Sequence, residues 1–334
     1  MTASADTDAW RRWLRSFLIL LAAFGGAAYL AVLLLDPFAT GRFTPLERVD
    51  IASRNMRLAR AGLVRDPAFD GAVIGNSTAI TLDPSRIGEA VGRRIVQLSI
   101  LAALPPDEMT VARAFDRHHR GRKTISIFML DQLWCLTGEA AQWGPFPNWL
   151  YEGSDREYLS RIFFPEGIST AATRAGILLG LTAPAARADG YDPVNRYHVA
   201  DPQAAANVMR AKPRETRGPP ADAPFPAIDA LESQLAAASS SAGEIFVFGP
   251  VYVTGVPAEG SPAAARLAAC KERVRQLAAQ RPNAAFLDLL TENAITRDVA
   301  NFYDEAHYRP DVARWVEAEI SRKLGVLTAS ARAD

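Results

Sequence analysis

Residues 69–84 read "FDGAVIGNSTAITLDP". The apolar run Ala72-Val73-Ile74 stops abruptly at Gly75-Asn76-Ser77, and the chain then turns small and polar. Three readings fit such a junction. It is a simple turn, or a glycosylation acceptor, because Asn76-Ser77-Thr78 satisfies N-x-[ST], or the site of a serine nucleophile held at the carboxyl end of a strand.

The surrounding pattern favours a strand. Apolar runs with strand character occur at 71–74, 95–98, 124–130, 245–248 and 285–289. Helical spacing separates them at about 84–91, 106–119, 226–240, 262–280 and 311–323, and Gly243 suits a helix-to-strand turn. A βαβα order predicts an α/β fold with a mostly parallel sheet covered by helices. Ligands of open α/β sheets bind beyond the carboxyl ends of the strands. The residues that end strands here are Asn76 and Ser77, then Ser99, then Asp131 and Gln132, then Pro250 and Tyr252.

Composition bounds the function. The chain has 334 residues and equal numbers of basic and acidic side chains, 37 of each. No global basic field exists to attract nucleic acid. A 49% apolar content is ample for a globular core. The two cysteines, Cys135 and Cys270, are too few for a disulfide scaffold or a zinc cluster. They either pair in an oxidising compartment or sit unpaired in apolar surroundings.

Residues 16–35, "SFLILLAAFGGAAYLAVLLL", carry no charge. At about 1.5 Å per residue they span roughly 30 Å, the thickness of a bilayer core. A cleavable signal has a shorter apolar region and a small-residue cleavage site, and Asp36-Pro37 ends the run without one. The expected layout is a cytoplasmic tail over 1–15, an anchor over 16–35 and a membrane-proximal arm over 36–68, with helical spacing over 45–61. Arg11, Arg12 and Arg15 favour an inside N-terminus, with the body periplasmic, whereas Arg42, Arg48 and Arg54 oppose it. A second apolar stretch, 175–184, is too short to span and is expected to be a packed helix. Residues 133–243 read as an insertion over one face of the sheet. Its aromatic cluster, Trp134, Trp143, Phe146, Trp149 and Tyr151, suits either sugar rings or a small satellite core. Its proline-rich part, 212–226, reads as an exposed loop.

A serine hydroxyl becomes nucleophilic when a base takes its proton and a carboxylate fixes the base. The chain has four histidines. His118 and His119 sit in the polar "DRHHRGRK", before the third strand, and read as a solvated basic face. His198, near Arg196 and Tyr191, lies in the insertion and reads as structural. His307 lies in "YDEAHYRP", three residues after Asp304 and just before a helix. That spacing can put both side chains on one side of a turn, after the last strand of a protein whose first strand ends in Gly-x-Ser.

On these two blocks, "VIGNSTA" and "YDEAHYRP", the chain resembles the SGNH/GDSL hydrolase superfamily over about residues 69–325. The resemblance implies a three-layer α/β/α sandwich with a flavodoxin-like parallel sheet, preceded here by one transmembrane helix. It implies Ser77 as nucleophile, Asp304 as orienting acid and His307 as general base, with no cofactor and no metal. In its single anchor the chain is similar to the branch near the alginate O-acetylation and D-alanyl-transfer proteins, which act outside the cytoplasmic membrane. The family's second block usually supplies a glycine and its third an asparagine, both oxyanion donors. Here these blocks read "QLSILAALPP" and "MLDQLW". Ser99 or the backbone near Ala102, and the Gln132 amide, are the substitutes, and Asn76 and Asp131 are further candidates for this region. Losing one donor costs on the order of 2.7–4 kcal/mol.

The expected function is a membrane-anchored, extracytoplasmic serine esterase or O-acyltransferase acting on a carbohydrate or envelope glycan through an acyl-serine. Its partners would be an acyl ester donor, a glycan acceptor, the membrane and a membrane-embedded acyl carrier or acyltransferase, with no nucleic acid. The alternatives are a degenerate domain of the same family that binds glycans, and a structural envelope protein in which Ser77 and His307 never meet.

Overall fold

The computed structural model describes residues 3–44, 46, 53–138, 144–192, 201–238 and 243–330. Five strands form one parallel sheet: β1 (Gly71–Ile74), β2 (Ile95–Gln97), β3 (Ile125–Leu130), β4 (Gly243–Phe248) and β5 (Ala284–Asp288). The helices among the described residues are α1 (Ala3–Leu35), α2 (Met56–Leu63), α3 (Pro84–Val91), α4 (Pro105–His118), α5 (Asn148–Tyr151), α6 (Asp155–Arg161), α7 (Pro165–Leu178), α8 (Pro202–Ala211), α9 (Pro226–Ala237), α10 (Pro262–Ala279), α11 (Ala294–Arg297) and α12 (Pro310–Ser330).

The strand order is β2-β1-β3-β4-β5. Every residue of β1 and β4 is buried, as an interior parallel strand requires. Alternate side chains feed opposite faces. Ala72, Ile74, Phe128, Leu130, Phe246 and Phe248 pack under α4, α9 and α10, and Val73, Ile127, Met129, Ile245 and Val247 pack under α3 and α12. The chain runs from β1 outward to β2 and then returns across β1 to β3. The carboxyl ends of β1 and β3 therefore flank the point where the strand order reverses, where such sheets open a crevice.

The described residues of 36–68 are built into the body. Phe38, Leu58, Ala61, Leu63 and Val64 belong to the core under α4. Asp36, with φ +45°, ends α1 and is buried. Its carboxylate accepts from Thr40 Oγ1 at 2.9 Å, Gly41 N at 2.6 Å and Tyr158 Oη at 3.1 Å. Arg174 donates to the Asp36 carbonyl. Among the described residues of this stretch, helix runs over Met56–Leu63; residues 45 and 47–52 of the expected helix lie outside the described residues.

Several local expectations are corrected. His119 is buried rather than solvated, stacks on Phe115 with centroids 4.1 Å apart, and faces the carbonyls of Phe115 and Asp66 at 2.9 and 3.0 Å. The run 175–184 is helical only to Leu178, and Leu178, Leu179 and Leu181 are exposed. The satellite-core reading describes the aromatic residues better than the sugar platform. Trp134 and Tyr151 are fully buried, and Trp149 meets Phe38 and Phe164 edge-on. Trp143, Arg196 and His198 lie outside the described residues. The question left open by the cysteines is answered: Cys135 and Cys270 are bonded, with Cα atoms 5.5 Å apart, and join the end of β3 to α10.

Candidate active site

Gly75 is the hinge of the β1 end. A Cβ there would come within 2.8 Å of the Met129 Cβ on β3, so no larger residue fits without displacing that strand. Asn76 is nearly fully buried and shapes the next turn, its Oδ1 accepting from the Thr78 backbone N at 3.1 Å and hydroxyl at 3.0 Å. Its Nδ2 donates to Asp131 Oδ2, across the switch point, at 2.6 Å. Ser77 is thereby held between two bonded neighbours. A glycan on Asn76 has no room in this arrangement.

The partner of Ser77 comes from the loop before α12. His307 Nε2 lies 2.9 Å from Ser77 Oγ, and Nδ1 lies 2.8 Å from each Asp304 oxygen. A carboxylate only accepts, so Nδ1 carries the hydrogen and Nε2 offers its lone pair to the serine hydroxyl. The same Asp304 Oδ1 accepts from the backbone N–H of Ala306 and of His307, each at 2.9 Å, which closes the D-x-x-H turn. Partial burial works to raise the Asp304 carboxyl, but the hydrogen bond and charge of His307, with those two N–H groups, outweigh it. Asp304 therefore sits below the usual carboxylate range.

Backbone contacts set the loop. Tyr252 N, just past β4, donates to Glu305 O at 2.8 Å, Tyr303 N donates to His307 O at 2.8 Å, and Phe302 pairs with Tyr308 in an antiparallel bridge. Lys212 forms an ion pair with Glu305. The sequence places Tyr252 at a strand end but carries no signal for this latch, which is a main-chain bond without a side-chain signature.

The remaining candidates engage other groups. Ser99 N donates to Gln97 Oε1 at 2.9 Å, and the buried Ser99 Oγ has no hydrogen-bond partner among the described residues. Ala102 adopts φ +53°, a left-handed conformation that costs an L-residue roughly 1–2 kcal/mol. Its carbonyl accepts from Arg57. Gln132 turns away, donating its amide to Gly255 O at 2.7 Å. Asp131 is pushed up by burial, against the Asn76 amide and the Leu133 N–H, which favour its anion.

Behind Asp131 stands a residue that sequence reading missed. Glu108 on α4 is buried, and one oxygen accepts from Trp134 Nε1 at 3.3 Å. The other has no hydrogen-bond partner among the described residues. Burial, and next the charge of Asp131, push its carboxyl well above the ordinary range. The sequence did hold a signal: Glu108 shares the apolar helical face of Val111, Ala112 and Phe115. A carboxyl raised by folding stabilises the fold fully below its unfolded pKa, about 4.3. That contribution is lost as pH rises through the folded value. Glu108→Gln removes this penalty. Its melting temperature should match the parent near pH 4 and exceed it increasingly above pH 5. A difference that stays flat with pH in paired melting curves would show that Glu108 does not titrate this way.

Among the described residues no group of three or more His, Cys, Asp or Glu is arranged to hold a metal. No known family model and no curated protein matches the chain.

Proposed function

We propose that the chain is a serine acyl-transferring enzyme of the SGNH type, an esterase or O-acyltransferase acting on a carbohydrate or envelope glycan. The observation that carries this reading is the unbroken chain Ser77 Oγ, His307 Nε2, His307 Nδ1, Asp304 within hydrogen-bond reach. The strand order and the strand-end position of Ser77 support the same family. Ser77 Oγ attacks the acyl carbonyl while its proton passes to His307 Nε2. Asp304 stabilises the imidazolium, which then protonates the departing alkoxide. The acyl-serine passes to water or to a sugar hydroxyl, whose proton returns through His307.

A second reading, a glycan-binding domain with little turnover, draws on the Gln132 amide being committed to Gly255. The alternative in which Ser77 and His307 never meet is at odds with their 2.9 Å contact. The deciding experiment supplies an activated acyl donor to the full chain, with and without envelope oligosaccharides, and follows free acid and acylated sugar. Acylated sugar supports a transferase and free acid alone an esterase. Neither product, together with no labelling of Ser77 by a fluorophosphonate, favours the binding domain.

We further infer that α1 is an uncleaved anchor with its N-terminus inside and the body in the periplasm. The helix is long and apolar enough to cross a bilayer over Thr7–Leu35. Arg11, Arg12 and Arg15 support the orientation, and the Cys135–Cys270 bond supports an oxidising compartment. A reporter that works only outside the cytoplasm, fused after Asp334, should be active. An inactive reporter on a stably produced fusion reverses the orientation. Acyl donor, glycan acceptor and a membrane-embedded acyl carrier remain the proposed partners.

A further inference from the structure

The helix that packs against α1 has an unusual outer surface. Among its residues, Ile168, Ala172, Ala175 and Leu179 recur at helical spacing and form one stripe along α7 into its terminal turn. Ile168 and Leu179 are exposed, Leu179 by 73%, and Leu181 follows at 78%. The exposed face of a helix in water is normally charged. Here the sole charge between residues 167 and 186 is Arg174, which is buried and bonded to the Asp36 carbonyl at the end of α1. The hydroxyls on this side are satisfied within the helix, Ser169 Oγ by Glu166 O at 3.1 Å and Thr173 Oγ1 by Ser169 O at 3.0 Å. Nothing polar is left there to orient a protein partner, whereas transmembrane helix partners are commonly joined by such groups.

The position of this surface relative to α1 indicates what covers it. Tyr29 of α1 donates its hydroxyl to Leu159 O at 2.8 Å, and its ring meets Phe163 with centroids 5.8 Å apart. Tyr29 lies six residues before Leu35, so the contact sits about 9 Å below the end of the helix at 1.5 Å per residue. That level falls inside the uncharged run. If α1 spans a bilayer, the start of α7 already stands at the depth of the outer leaflet.

We infer that the exposed face of α7, from Ile168 to Leu181, rests in the outer leaflet of the membrane that holds α1, so that the body is seated on lipid as well as anchored through it. Lipid is favoured over a protein partner by the absence of charge, the internally satisfied hydroxyls and the continuity with α1. The inference rests on the reading of α1 as an anchor, and its depth of insertion is that of interfacial helices.

The test uses the full chain in phospholipid vesicles. Single cysteines replace Ile168, Leu179, Leu20 in α1, and Glu259, an exposed residue elsewhere on the body, and each carries an environment-sensitive fluorophore. The native cysteines are bonded to each other and do not take the label. The Ile168 and Leu179 probes should be quenched by nitroxides on shallow acyl positions about threefold more than the Glu259 probe, and be shielded from aqueous iodide. Iodide access equal to that at Glu259, with Leu20 quenched by deep nitroxides, overturns the inference and leaves the anchor standing. Shielding from iodide without lipid quenching also overturns it, because a protein then covers the face. A Leu20 probe that lipid nitroxides do not reach overturns the anchor and the inference together.

Discussion

Replacing Ser77 by alanine is expected to lower ester turnover by roughly 10⁶-fold, to a residual rate set by binding and by whatever backbone donors the site keeps. His307→Ala should fall about as far, and the double variant no further, because proton transfer and attack are one event. The reason is geometric. Ser77 Oγ has His307 Nε2 at 2.9 Å, and that imidazole is fixed in a single tautomer by Asp304. Without the base the hydroxyl attacks as a weak neutral nucleophile; without the hydroxyl the base has only water to activate. Steady-state rates on an activated ester, with covalent labelling as a second readout, check the outcome. Wild-type turnover in Ser77→Ala would move the nucleophile elsewhere. Additive losses in the double variant would mean that the two residues serve separate steps.

The second large effect is on stability. The bond between Cys135 and Cys270 closes a loop with a sequence separation of 135 residues. In the chain-entropy account a loop of that size restricts the unfolded ensemble by about 4–5 kcal/mol, although native strain and residual unfolded structure commonly trim the effect. For a chain of this length each kcal/mol shifts the melting temperature by roughly 1.5 °C, so reduction should lower it by roughly 6–8 °C. Both cysteines are buried, one behind the end of β3 and the other on α10, which packs on β4 and β5. The loss should therefore loosen the side of the sheet that carries Asp131. Melting curves of the oxidised and fully reduced protein, with thiol counts to verify reduction, give the number. An unchanged melting temperature in the reduced protein would mean that packing alone holds α10 in place.

How much of this was legible in the sequence depends on how local each cause is. Interior parallel strands are written as unbroken apolar runs, and those expected at 71–74 and 124–130 appear as Gly71–Ile74 and Ile125–Leu130. Helix starts were equally plain where a proline follows an N-cap, as at Asp83-Pro84 and Ser261-Pro262. The D-x-x-H turn was readable because Asp304 and His307 interact across three residues. Its meeting with Ser77, 230 residues away, was inferred from strand-end position and family resemblance. What failed depended on partners that no local pattern specifies. His119 looked solvated because its neighbours are basic, yet the Asp66 carbonyl lies against its ring. Gln132 looked available as a donor until Gly255 occupied it. Nothing local to Asp36 announces that Tyr158 and Arg174 will close over it.

The burial of Asp36 bears on where the protein can act. A body on a slack linker samples a hemisphere whose radius grows with the square root of the linker length. Here the last turns of α1 continue directly into the core through Val32, Asp36 and Phe38. If α1 crosses a bilayer as proposed, Ser77 is carried at one altitude and one bearing, like a tool bolted to a post. Lateral diffusion in the membrane plane becomes its main freedom of approach. Under the proposed function, acceptor chains would have to thread through a thin shell of space at that altitude, and the spacing of modified positions along a polymer would report the height of the post rather than the sequence of sugars.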